Sequence, residues 1–174
     1  MSITGEELAR EFLRNPDYVD LSKATNNELS DRALELLSEH EGELNLSGLT
    51  ELSDAAAEAL SKHQGEGWHG ILYLAPAELS DNAAEALAKH KGSISIDIER
   101  ISDAAAESIS KHQGELLLLE GLTELSDAAA QSLSKHEGDL FLSSLTKLSD
   151  AATESLSERT WEINGMDPTE WAEA

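Results

Sequence analysis

The chain contains no cysteine, which excludes disulfides, thiolate zinc sites and cysteine nucleophiles together. Basic residues are scarce: 12 Lys and Arg stand against 35 Asp and Glu, for a formal net charge of −23 and a calculated pI near 4.4. Nothing offers a basic stripe to neutralise phosphates, so nucleic acid is not an expected partner, and an anionic membrane surface is unattractive for the same reason. A basic protein partner fits the charge better.

Long hydrophobic runs are missing too. No stretch approaches the ~18 consecutive apolar residues of a membrane span. The N-terminus, Met1-Ser-Ile-Thr-Gly-Glu-Glu-Leu8, has neither a basic nor an apolar leader region. The expectation is a soluble, cytoplasmic protein. Motifs that carry chemistry are equally absent: there is no Gly-rich phosphate loop, no His-x-x-x-His, no nucleophile elbow and no compact calcium loop. No cofactor, metal or catalysis is expected.

What the chain does contain is repetition. Ser30, Ser53, Ser80, Ser102, Ser126 and Ser149 mark one point in six copies, at intervals of 23, 27, 22, 24 and 23 residues. A period of this size means units that hide their apolar faces by stacking on one another. Residues 42–64 show how one unit works. Leu44 and Leu46 alternate with polar neighbours, as in a short strand buried on one face. Leu49 and Leu52 follow in a loop. Ser53 then offers a helix N-cap, with Asp54 against the positive end of the helix dipole. Ala56, Ala59, Leu60 and His63 fall on one stripe, which turns inward. Gly65 ends the helix, as Gly42, Gly92, Gly114 and Gly138 do elsewhere, where a left-handed residue is expected. Glu58 and Lys62 sit at i, i+4, and Glu85/Lys89 and Glu107/Lys111 repeat the arrangement.

Aligned in this way, strand cores fall at Val19/Leu21, Leu44/Leu46, Leu72/Leu74, Ile94/Ile96, Leu117/Leu119, Leu140/Leu142 and Trp161/Ile163. The expected architecture is an α/β solenoid with short parallel strands on one wall and helices on the other. Residues 1–17 form an N-terminal capping helix, started by a Thr4/Glu7 capping box and stopped at Asn15-Pro16. Residues 18–160 hold the repeats, and residues 161–174 a C-terminal capping segment.

The Leu-x-Leu-x-x-Leu-x-x-Leu run followed by a helix, as in Leu44, Leu46, Leu49 and Leu52, resembles a leucine-rich repeat. It is most similar to bacterial arrays built from Leu-Ser-Asp-Ala-Ala-Ala-Glu-Ala-Leu units, over roughly residues 18–166. The chain departs from the usual repeat at Leu49, Leu122 and Leu145, where an Asn or Cys commonly bonds the turn. The resemblance implies a curved array whose concave strand face binds another protein without catalysis.

The positions where copies differ point to a binding site. Between the strand cores, Asp20, Asn45, Tyr73, Ser95, Leu118, Phe141 and Glu162 point to the concave face. With Ile71 and Leu116 just before the cores, Tyr73, Leu118 and Phe141 make an expected exposed apolar patch, interrupted by Ser93 and Ser95 and rimmed by Asp97, Glu120 and Asp139. The plainer reading is that Tyr73 and Phe141 merely favour strands. In the run Leu116–Leu119 a slip of one residue would exchange inside for outside. The longest interval carries an insertion at 65–70, where Trp68 and His69 either form binding contacts or fill the gap in an irregular coil. Five histidines, His40, His63, His90, His112 and His136, share one repeat position; helix spacing of ~8–10 Å argues against a shared metal and for helix-end capping. Ser53 and Asp54 lie roughly 15 Å from His63 along one helix, too far for a triad. Two functional readings result. The first is a protein- or peptide-binding module; the alternative is an acidic decoy for a basic protein or nucleic-acid-binding surface.

Overall fold

The computed structural model describes residues 4–65 and 70–157. Trp68, His69, the Trp161/Ile163 strand, Glu162 and the capping segment 161–174 lie outside the described residues. Within them, α1 (Gly5–Arg14) and α2 (Asp31–Leu37) are followed by alternating strands and helices. These are β1 (Leu44–Leu46), α3 (Asp54–Leu60), β2 (Leu72–Leu74), α4 (Asp81–Leu87), β3 (Ile94–Ile96) and α5 (Asp103–Ile109). Next come β4 (Leu116–Leu118), α6 (Asp127–Leu133), β5 (Asp139–Phe141) and α7 (Asp150–Ser157). The strands pair in parallel in sequence order, β1 to β5.

The helices begin where the Leu-Ser-Asp motif places them. Each of Ser30, Ser53, Ser80, Ser102 and Ser126 is an extended N-cap whose hydroxyl accepts the backbone N–H three residues on. Ser149 does the same for Ala152. At the start of α1, Thr4 and Glu7 complete the capping box, and Asn15 closes the helix. Each helix then packs on the next along one wall. Alanine permits this: Ala57, Ala84, Ala106 and Ala130 are fully buried beside Leu60, Leu87, Ile109 and Leu133. The strand residues expected inside are inside, with Leu44, Leu46, Leu72, Ile94, Ile96, Leu117, Leu119, Leu140 and Leu142 inaccessible to solvent. The pairing of Ile94 with Leu117 settles the register of the four-leucine run.

Several expectations need correction. Val19–Leu21 is not a strand: the sheet begins at β1, although Ser22 donates to Asp20 and the Ala24 N–H to the Leu21 carbonyl just as Ser47 donates to Asn45 and the Leu49 N–H to the Leu46 carbonyl after β1. The glycines after the helices do not occupy left-handed backbone. They are required by proximity: a Cβ on Gly114 would stand 2.0 Å from the Gly92 carbonyl oxygen, and one on Gly92 2.3 Å from that of Gly65. Coils touch there through bare backbone. Glu107 and Lys111 form the expected i, i+4 ion pair at 3.1 Å, whereas Lys89 reaches Glu58 of the preceding coil at 3.7 Å.

Candidate functional site

Parallel pairing aligns the variable strand positions into one row. Asn45 pairs with Tyr73, Tyr73 with Ser95, Ser95 with Leu118 and Leu118 with Phe141. Tyr73, Leu118 and Phe141 are thereby brought together on one strand face. Asp20 and Asn45, at the N-terminal end, are occupied locally: each accepts the N–H of the serine two residues on, at 2.9 and 3.1 Å.

The degree of exposure differs from expectation. Leu118 is only 7% exposed; Ile71 and Leu116, expected to face water, are buried, as are Ser93 and Ser95. Ile71, Leu116 and Leu118 do not belong to the main core cluster, so their burial arises on the strand-face side. With three-residue strands in contact at strand spacing, neighbouring side chains cover one another. Tyr73 and Phe141 are half-buried, and the large apolar residue standing fully in solvent is Tyr18. The face therefore offers a narrow aromatic strip rather than a broad apolar patch.

Its electrostatics are acidic. Partial burial raises the Tyr73 phenol above its ordinary pKa, and the negative charges of Glu43 and Glu120 raise it further. Asp97 and Glu120 are exposed and Asp139 is half-buried. Glu43 is absent from the residues read out of the sequence. Its signal was available, since it directly precedes a strand core as Ile71 and Leu116 do, but only the fold brings its charge to bear on Tyr73.

At the opposite end of the helices lies the histidine position. The rings form a continuous column: His63 and His90 have centroids 5.5 Å apart, His90 and His112 6.0 Å, and His112 and His136 5.9 Å. His40 continues it at 6.4 Å from His63 and meets Phe12 of α1 edge-on at 5.0 Å. His63, His90, His112 and His136 are buried. Burial lowers the proton affinity of His40 and His63, and drives His90 and His112 to about 4, each assisted by the charge of its neighbours. Sequence spacing predicted a capping residue at each helix end; it did not reveal that the rings touch. Among the described residues no group of three or more His, Asp or Glu is arranged to hold a metal.

Beside this column the helix wall carries two clefts. One of about 630 Å³ is lined by Lys111, His112, Gln131 and Lys135, and one of about 540 Å³ by Lys89, Lys91, Ser108 and Lys111. Lys62, Lys89, Lys111 and Lys135 thus stand just after the helix C-termini, whereas Asp54, Asp81, Asp103 and Asp127 stand at the N-termini. Among the described residues no helix is long and apolar enough to cross a membrane. No protein-family description, curated protein or solved structure matches the chain.

Proposed function

We propose that the chain is a non-catalytic, leucine-rich-repeat-like solenoid that binds a basic, extended protein segment along its strand face. The observation that carries this reading is the row Tyr73–Ser95–Leu118–Phe141, held in one register, with the charges of Glu43 and Glu120 acting on Tyr73, Asp97 directly after β3 and Asp139 opening β5. Half-exposed aromatic rings supply contact area with little rotamer entropy to lose, and the carboxylates select Lys or Arg beside it. The serine, aspartate and histidine of each repeat stand at opposite ends of a helix, which is consistent with binding rather than catalysis. The decoy reading gains less support, because the most regular acidic row, the helix-start aspartates, accepts hydroxyls from neighbouring coils.

Selection from a random peptide library tests the proposal. Wild type should enrich segments in which Lys or Arg alternates with apolar residues. A Tyr73→Ser/Phe141→Ser variant with an unchanged circular-dichroism spectrum should bind the enriched peptides at least ~10-fold more weakly, about the cost of one lost aromatic anchor. Equal binding by the variant removes the strand face as the site. Affinity that instead collapses with added salt alone transfers the reading to the decoy.

A further inference from the structure

The hydrogen-bond geometry of the histidine column points to a buried proton-binding site, in which His63 and His90 together hold one shared proton between His63 Nδ1 and His90 Nε2. The inference rests on counting hydrogens. His63 Nε2 lies 2.8 Å from the Gly42 carbonyl oxygen, and His90 Nδ1 lies 3.0 Å from that of Gly92. A carbonyl oxygen only accepts, so both of these nitrogens carry hydrogen. A neutral imidazole has one N–H, and each ring has now used it. The remaining nitrogens, His63 Nδ1 and His90 Nε2, face each other at 3.2 Å. Two neutral rings would oppose lone pair to lone pair inside the protein. One added proton makes all three contacts hydrogen bonds.

The ring geometry supports proton sharing. The planes are within 5° of parallel, and the centroids are 5.5 Å apart. That separation is the 3.2 Å contact extended by a centroid-to-nitrogen distance at each end, so the N···N line runs through both rings. The pair meets edge to edge rather than face to face. A metal ion does not fit between them, since two metal–nitrogen bonds need roughly 4 Å in line.

The single positive charge finds stabilising neighbours. His63 and His90 follow the last turns of α3 and α4, their backbone N–H groups bonded to the Leu60 and Leu87 carbonyls at the negative helix ends. A charge-assisted bond is about twice as strong as a neutral one. The titratable groups facing the pair are His40, after α2, and His112, after α5; His112 donates its Nε2–H to the same Gly92 oxygen at 2.9 Å. Neither ring forms an ion pair among the described residues. Burial lowers the proton affinity of each ring taken singly, and the charge of His63 lowers that of His90 further, so the pair holds one proton rather than two.

Long-range proton–nitrogen NMR on the 15N-labelled full chain, titrated from pH 8 to pH 5, tests the assignment. The expected result is protonated-type signals for His63 Nε2 and His90 Nδ1, averaged signals for the two facing nitrogens, and one proton taken up by the pair in a common step. One protonated and one bare nitrogen on each ring throughout this range would overturn it. In a His90→Leu variant, His63 should revert to its Nε2–H form with a proton affinity at least ~10-fold lower. Unchanged uptake by His63 would equally overturn the proposal. Should that variant unfold, the wild-type spectrum decides.

Discussion

The two ends of the helices carry two ladders with the same period and opposite physics. At the N-terminal ends, Ser53, Ser80 and Ser102 donate their hydroxyls to Asp31, Asp54 and Asp81 of the preceding coil, at 3.0, 2.6 and 2.6 Å. Ser126 and Ser149 do the same to Asp103 and Asp127. Each serine therefore caps its own helix and ties it to its neighbour. At the C-terminal ends the histidines also link coil to coil, through Gly42 and Gly92, but they are buried. The aspartates stay exposed to water. The histidines are removed from water, and each further proton has to be accommodated without it. Equal spacing along the chain thus produces a solvated ladder and a buried column, and burial makes the difference.

Acid separates the two most sharply. His90 and His112 have folded-state pKa values near 4 against an ordinary 6.5. Their depressed values mean that the unfolded chain binds more protons, so their contribution is complete above about pH 6.5 and is lost as pH falls toward 4. The His112 value alone corresponds to on the order of 3 kcal/mol over that window, a large part of a domain's stability of about 5–15 kcal/mol. Urea unfolding midpoints measured at intervals from pH 7 to pH 4 should fall steeply. Asp54 acts later: hydrogen bonds from Ser80 and Asn82 lower its pKa, so its contribution is complete above the ordinary carboxylate value and is lost only below about pH 4. A flat profile between pH 7 and pH 5 would erase the distinction.

The next effect in size belongs to the solvated ladder. Ser102→Ala removes the N-cap of α5 and the hydroxyl that Asp81 accepts, and should cost about 1–2 kcal/mol in the same assay at pH 7. Asp54→Asn should have the smallest effect. It keeps the Oδ1 acceptor for Ser80, its new amide can donate to Asn82 once that side chain turns its oxygen inward, and the lost charge is exposed, so its midpoint should move less than that of Ser102→Ala, and less still in high salt. A larger loss from Asp54→Asn would mean that the exposed ladder, and not its caps, holds the coils together.

Much of this arrangement is legible in the residues. Alternation at Leu44/Leu46, Leu72/Leu74 and Ile94/Ile96 identifies the inward strand positions, and the observed register agrees. The Leu-Ser-Asp motif, Ile-Ser-Asp at Ser102, announces every helix start from Ser30 to Ser149, because an N-cap is a local hydrogen bond between residues three apart. What could not be read concerns distances between coils. Val19–Leu21 has the alternation of a strand and the same Ser22–Asp20 turn that follows β1 as Ser47–Asn45, but the sheet begins one coil later, and pairing across coils is not written in the alternation. The helix-end glycines suggest left-handed turns, yet their role is the close approach of Gly114 to the Gly92 carbonyl. On the candidate binding face, the row from Asn45 to Phe141 follows from the repeat, whereas the burial of Ile71, Leu116 and Leu118 depends on neighbours in other coils.

By itself, then, the sequence determined the period, the strand and helix positions and the side of each strand that meets the core, since these depend on local hydrogen bonds and on alternation along one chain. The tertiary structure decided which equivalent residues touch. Stacking coils at backbone contact brings Glu43 and Glu120 to bear on Tyr73, hydroxyl to carboxylate in the serine–aspartate ladder, and His63 edge to edge with His90. A period specifies that positions repeat, but the separation between repeats is set by packing, and hydrogen bonds and proton affinities depend on that separation.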